Sequence, residues 1–176
     1  MVQRLASEEG LRIRSREGRS RVGRGTIGGE PVLLALPQTY MNASGEAVRD
    51  LCHKNEIDPA DLCVVFDEIE LPLGTLRMRA RGSAGGQRGI ASVIASLGTS
   101  DFPRLRVGIR GERYSRERDL ADYVLEPFGR GERAAFEESI ERAAEALRLW
   151  LNQGIDAAMR HANPRPSSPE AKPAQD

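Results

Sequence analysis

Apolar positions along the chain change their period several times, and each change marks an element. Residues 3–9 suit a short helix. Residues 20–36 read as a hairpin: RVGRGTI and PVLLALP are strand-like, with Gly28-Gly29 as turn chemistry between them. After PQTYMN, the positions Ala47, Val48, Leu51 and Cys52 fall on one helix face. Asp58-Pro59 reads as an N-cap followed by a proline at the first helical position. LCVVF, residues 62–66, is a continuous apolar run of the kind a strand shows when both its faces are buried, and it ends directly in Asp67-Glu68. TLRMR, 75–79, alternates like a strand. GSAGGQRGI, 82–90, is a glycine-rich turn opening a helix whose stripe is Ile90, Val93, Ile94 and Leu97, with Gly98 as its stop. RLRVGI, 104–109, alternates again. A long helix follows Gly131, with Phe136, Ile140, Ala143, Ala144, Leu147 and Leu151 on one face, and a short helix covers 155–161.

Strands alternating with helices predict an α/β fold: a single domain over residues 1–161, with a mixed twisted sheet flanked by helices. The neighbours available to strand 62–66 are 31–36 and 104–109. The chain opens on a helix, which is compatible with a first strand missing from the sheet. Residues 162–176 hold four prolines in fifteen and no apolar period, so a disordered Pro/Ser-rich tail is expected.

Composition narrows the function classes. Of 176 residues, 39% are apolar and 30% charged, a globular balance, and no apolar run reaches the ~18 residues a membrane span needs. The polar opening MVQRLASEEG is unlike a signal peptide. Cys52 and Cys63 lie in apolar runs without metal-binding spacing, so buried reduced thiols and a cytoplasmic location are expected. Net charge is zero, yet 24 of the 26 cations are arginine, and they cluster. Residues 1–24 carry seven Arg against three Glu, and 72–112 carry seven Arg against Asp101 and Glu112. Such blocks offer a basic face to an anion such as a nucleic-acid backbone.

Three places could carry chemistry. Asp67 follows an apolar strand, at the edge where ligands bind in open α/β sheets. It could orient a histidine, or simply close a turn. The 82–90 loop could attract phosphate through backbone N–H groups, with Arg88 adding charge, or it could be only a tight connection. In Tyr40-Met41-Asn42, Asn42 reads either as a helix cap or as an amide holding a ligand, with Tyr40 as a ring for a nucleotide base to stack on. His53 and His161 are the only histidines, and neither belongs to a motif that brings it to Asp67. No His/Cys cluster has metal spacing, and no GxSxG elbow occurs.

Taken together, PQTYMNASGEAV, VVFDEIELPLGTLRMR, GSAGGQRGIASVIASLG and FPRLRVGI closely resemble the bacterial peptidyl-tRNA hydrolase family in order and spacing, up to about residue 160. The resemblance implies hydrolysis of the ester between a peptide and the terminal ribose of tRNA, which recycles the tRNA. It implies a cytosolic monomer without metal or cofactor, acting on the acceptor stem and 3′ end of peptidyl-tRNA. It places Asp67 as the carboxylate supporting the catalytic histidine, and Tyr40 and Asn42 at tRNA-contacting positions. Gln87 and Arg88 stand where the family commonly has histidine and asparagine. The family's opening strand, its Gly-Asn-Pro-Gly turn and its Thr-Arg-His-Asn stretch have no counterpart in this sequence. The expectation is therefore an N-terminally incomplete member, inactive as it stands. A non-catalytic RNA-binding relative is the alternative.

Overall fold

The structure is a computed structural model and describes residues 1–115 and 120–163. In chain order its elements are α1 (Val2–Glu8), β1 (Ser15–Glu17), β2 (Ser20–Ile27), β3 (Glu30–Pro37), a 3-10 turn (Met41–Ala43), α2 (Ser44–Lys54), a 3-10 turn (Pro59–Asp61) and β4 (Val64–Pro72). They continue with β5 (Leu76–Arg79), α3 (Arg88–Leu97), β6 (Arg104–Arg110), α4 (Leu120–Leu125), α5 (Arg130–Gln153) and α6 (Ile155–Ala162). The predicted helices and strands are present, and Gly28 and Gly29 turn the hairpin at φ values of 60° and 91° that favour glycine.

The strands form two three-stranded sheets, ordered β1-β2-β3 and β4-β6-β5. β1, β2 and β3 are antiparallel. β4 runs parallel to β6, and β5 antiparallel to it. Alternation along the strands sorts side chains to two faces. Val32, Leu34, Cys63 and Val65 pack with α1, α5 and α6 through Leu5, Leu147 and Ala158. Val64 and Phe66 pack on the other face with Val48, Ile90 and Val93 of α2 and α3. Helices thus cover both faces, as a layered α/β fold requires.

Four expectations need correction. Strand β4 runs on to Pro72, so Asp67 lies inside it rather than beyond its end. The pleat continues because Ile69 remains an inward apolar position after Asp67 and Glu68. Of the two expected neighbours, 104–109 pairs with β4 but 31–36 does not: β3 and β4 are edge strands of separate sheets. Asn42 sits within the 3-10 turn, and Ala43 rather than Asn42 holds the cap position of α2. The expected tail begins two residues too early. Ala162 is buried in α6, and the Asn163 side chain accepts from Met78 N at 2.8 Å and donates to Met78 O at 3.2 Å, docking on β5. The rest of that segment, 164–176, lies outside the described residues. The strand β1 and the helix α4 were not predicted.

Helix α2 approaches α3 at Gly45, whose N–H donates to Ser92 Oγ at 3.0 Å. A Cβ at Gly45 would overlap the Ser92 carbonyl, which is backbone and cannot swing aside. Gly45→Ala should therefore cost about 1–3 kcal/mol through forced separation of the helices, read as a lower urea midpoint. Glu17 is a second structural anchor. It is buried and accepts from Asn55 Nδ2 at 2.6 Å and Arg24 at 2.6 Å. The Asn55 amide and the Arg24 guanidinium hold its carboxyl below the ordinary value near 4.5. A lowered folded-state value means that this stabilisation is complete above that pH and is lost as pH falls through the depressed value. Glu17→Gln should therefore lower the urea midpoint at pH 7 and narrow its difference from pH 3 relative to the parent chain.

Candidate functional site

An apolar groove of about 500 Å³ separates β3 from β4. Its floor and walls include Leu5 and Trp150 on one face and Val48 and Ile90 on the other. Both flanking strands lead toward one mouth. There Thr39 and Met41 follow β3, Asp67 sits in β4, and Gln87 stands at the head of α3, all lining the groove.

Three contacts fix the mouth. Gln87 Nε2 donates to the Asp67 carbonyl at 3.0 Å, tying the glycine-rich loop to β4. Gly89 lies directly against Met41, so a side chain there would displace the Met41 thioether. Arg104, fully buried, donates to Ser83 O at 3.0 Å and Ser100 O at 2.7 Å, and its guanidinium lies 4.3 Å over the Phe102 ring. It anchors the loop from beneath, and desolvation lowers its pKa from the ordinary arginine value. Nearby, Arg106 pairs at 3.3 Å with the buried Glu68, whose other oxygen accepts from Glu70 N at 3.2 Å.

The candidate groups lie at the mouth or adjoin it in sequence. The Asp67 carboxylate is half-buried and makes no hydrogen bond or ion pair among the described residues. Tyr40 is 88% exposed, a value that leaves the whole ring available for stacking. Asn42 and Arg88 are exposed, and Arg88 has no carboxylate partner among the described residues. Asp67 and Gln87 thus line the opening, while Tyr40, Asn42 and Arg88 are exposed and adjoin in sequence the lining residues Thr39, Met41, Gln87 and Gly89. His53, in the last turn of α2, and His161, in α6, are exposed and do not line the groove. No cluster of three or more potential metal ligands occurs among the described residues. No helix among them is long and apolar enough to cross a membrane.

Sequence reasoning missed two features. Thr39 Oγ1 is buried at the mouth without a hydrogen-bond partner, a position its place in PQT does not reveal. The second is how the arginine blocks divide: Arg12, Arg14, Arg16, Arg77, Arg79 and Arg81 stay exposed. Arg104 and Arg106 are drawn inward, while Arg4, Arg19 and Arg24 are held in ion pairs with Glu8, Glu46 and Glu17. Charge counted along the chain cannot tell an arginine that staples a loop from one that faces solvent.

These features define a class first: a layered α/β fold with a groove whose mouth is lined by a carboxylate within a strand and by the head of a helix. Comparison with known proteins makes this specific. The family model for peptidyl-tRNA hydrolase matches residues 1–171. The chain is 46% identical to a peptidyl-tRNA hydrolase of Roseiflexus castenholzii, with 98% of this chain and 80% of the relative covered. It is 46% identical to one of Chloroflexus aurantiacus, with 93% and 86% covered. A crystal structure of a peptidyl-tRNA hydrolase in complex with N-propanol superposes at a TM-score of 0.84 and 29% identity, covering 98% of this chain and 84% of that one. One from Acinetobacter baumannii superposes at 0.84 and 29% identity, covering 92% and 82%. The chain belongs to the peptidyl-tRNA hydrolase family, and thus to the carboxylic ester hydrolases.

The groove also sets the chemistry of its cysteine. Burial pushes the Cys63 thiol up to about 12. At pH 8 only ~1 thiol in 10⁴ would be ionised, so Cys63 should resist iodoacetamide in the native protein and react once urea unfolds it. Mass spectrometry of alkylated peptides reads this directly.

Proposed function

We propose that the mouth between Tyr40, Asn42, Asp67 and Arg88 receives the acceptor stem and 3′ end of peptidyl-tRNA, where the ester joining peptide to ribose is hydrolysed. The observation that carries this reading is the Asp67 carboxylate on β4, at the groove and without a hydrogen bond or ion pair among the described residues, with exposed Tyr40, Asn42 and Arg88 adjoining in sequence other residues that line the groove. Water adds to the ester carbonyl, and the ribose oxygen leaves with a proton. The products are a peptide carboxylate and a tRNA with a free hydroxyl, ready for reuse.

Each residue has a role. Asp67 orients an imidazole at the mouth and stabilises it when it takes the proton of water. Tyr40 stacks on a base, Asn42 hydrogen-bonds the acceptor end, and Arg88 pairs with a phosphate through its planar fork. Gln87 holds the loop in register by its bond to the Asp67 carbonyl, which leaves it a positioning residue. The enzyme acts as a cytosolic monomer. His53 and His161 do not line the groove. The non-catalytic RNA-binding alternative gains no support from the relatives described above, which carry the hydrolase name.

Hydrolysis of N-acetyl-aminoacyl-tRNA and binding of an acceptor-stem minihelix test this reading together. Binding should weaken steeply with salt, and Arg88→Ala should flatten the log–log slope by about 0.7–0.9 for its lost phosphate contact. Turnover should depend on Asp67, with Asp67→Asn losing ~10²-fold or more if the carboxylate positions the general base. Robust turnover abolished by His53→Ala would relocate the imidazole to α2. Robust turnover untouched by Asp67→Asn would remove Asp67 from the mechanism.

A further inference from the structure

Away from the groove, the outer edge of the first sheet carries a cluster of arginines that the ester chemistry does not use. Arg16 of β1 stands directly opposite Arg21 of β2, so both side chains leave the sheet on one face. The Arg21 guanidinium donates to Ile13 O at 3.1 Å, on the backbone between Arg12 and Arg14. Arg12, Arg14, Arg16 and Arg21 therefore meet in one patch, and all four are exposed.

The patch is held in place from beneath. Gly23 and Gly25 share a face of β2 with Arg21, and their missing side chains let the incoming segment rest on the strand. A Cβ at Gly23 would strike the Arg12 carbonyl, and one at Gly25 the Leu11 side chain. Leu11 packs against the core, so the segment is anchored at its start by Leu11 and further along by Arg21. The acids nearby are already engaged. Glu17 is turned to the opposite face and bound to Arg24, Glu46 is bound to Arg19, and Asp50 stands 3.6 Å from Arg49. The four arginines of the patch make no ion pair among the described residues. Like charges directly opposite on a sheet destabilise it. The pair Arg16–Arg21 thus stands without a counter-charge from the chain, and an external polyanion would supply one.

We propose that this patch is a second RNA-backbone site, outside the mouth, which grips the phosphates of a duplex stem. Arginine forks match phosphate oxygens in shape as well as charge. The large apolar side chains exposed among the described residues are Tyr40, Met41, Leu120, Val124 and Leu125, none of them in segment 11–21. The patch thus lacks the apolar anchors that a bilayer or a protein interface uses. It also leads to the mouth: Gln38 N donates to Arg19 O at 2.8 Å, one residue before Thr39, which lines the groove. The choice of RNA rests on the reading of the mouth given above; the phosphate contacts do not. Arginines on an edge strand can also serve only to block pairing between sheets, and RNA binding separates the two roles.

A blunt-ended RNA hairpin, which has no unpaired 3′ end for the mouth, probes the patch by fluorescence anisotropy over a range of salt. The triple variant Arg12→Gln/Arg14→Gln/Arg16→Gln leaves Arg21 in place to hold Ile13. It should flatten the log–log salt slope by about 2–3, for three lost phosphate contacts, and weaken binding at least about tenfold at low salt. The loss should be the same for hairpins of unrelated sequence. Lysine at the same three positions should keep the slope, and a lysine variant that loses it as fully would trace the effect to a disturbed β1 and overturn the proposal. The minihelix slope with Arg88→Ala reads the mouth by itself, so either reading can fail and leave the other standing. A hairpin that does not bind, or a slope unchanged by the three glutamines, would overturn the patch. So would self-association of the glutamine variant in sedimentation with hairpin binding intact, because the arginines would then only guard the edge of β1. Capture by phosphatidylserine vesicles without hairpin binding would assign the patch to a membrane surface instead.

Discussion

A peptide group walled off from water must find its hydrogen bond within protein, and that demand organises this molecule. Each sheet has two outer strands, and the fold treats them differently. The outer edge of β5 is met by the Asn163 amide, which offers one acceptor and one donor to Met78 as a neighbouring strand would. Strand β1 is three residues long, with Ser15 and Arg16 in solvent. Only β3 and β4 turn their edges toward hydrocarbon, and they turn them toward each other. The mouth lined by Thr39, Asp67 and Gln87 belongs to that shared groove, so its geometry depends on how those edges are held.

The mouth is built from loops, but the loops are tethered to rigid parts. Arg104 reaches up from β6 to two loop carbonyls, Gln87 reaches across to β4, and the closeness of α2 to α3 at Gly45 fixes where the Met41–Ala43 turn lies. This divides the arginines into two populations. Those that hold carbonyls or carboxylates inside the protein spend their charge on architecture. Arg88 is exposed and has no carboxylate partner among the described residues. A zero net charge therefore coexists with exposed cationic groups, Arg88 among them.

Much of the architecture was legible because it rests on local rules. The stripe Ile90, Val93, Ile94 and Leu97 specifies α3, and Asp58 accepts from Ala60 N at 2.8 Å as its N-cap reading requires. The motifs also single out Asp67 and Gln87, which both line the groove. What stayed hidden depends on long-range pairing. LCVVF gives an apolar run but not its partners, so the separation of β3 from β4 could not be read from it. Asp67 looked terminal because two acids follow the apolar run, whereas Glu68 is accommodated in the strand by Arg106 from β6, a contact across 38 positions. The segment that became α4 carries exposed Leu120, Val124 and Leu125, a pattern without a buried stripe to announce a helix. Asn42 missed its cap because the 3-10 turn consumes the residues that would have preceded α2.

The prolines at Pro31 and Pro37 have a consequence for self-association. They bracket the open edge of β3 and withhold N–H groups at both of its ends, leaving Leu33 and Ala35 as its donors. A growing cross-β stack needs an uninterrupted ladder on every rung, and this edge cannot extend one beyond the span between its prolines. The protein can thus keep a hydrocarbon-lined template for pairing while denying it the length that fibril propagation requires.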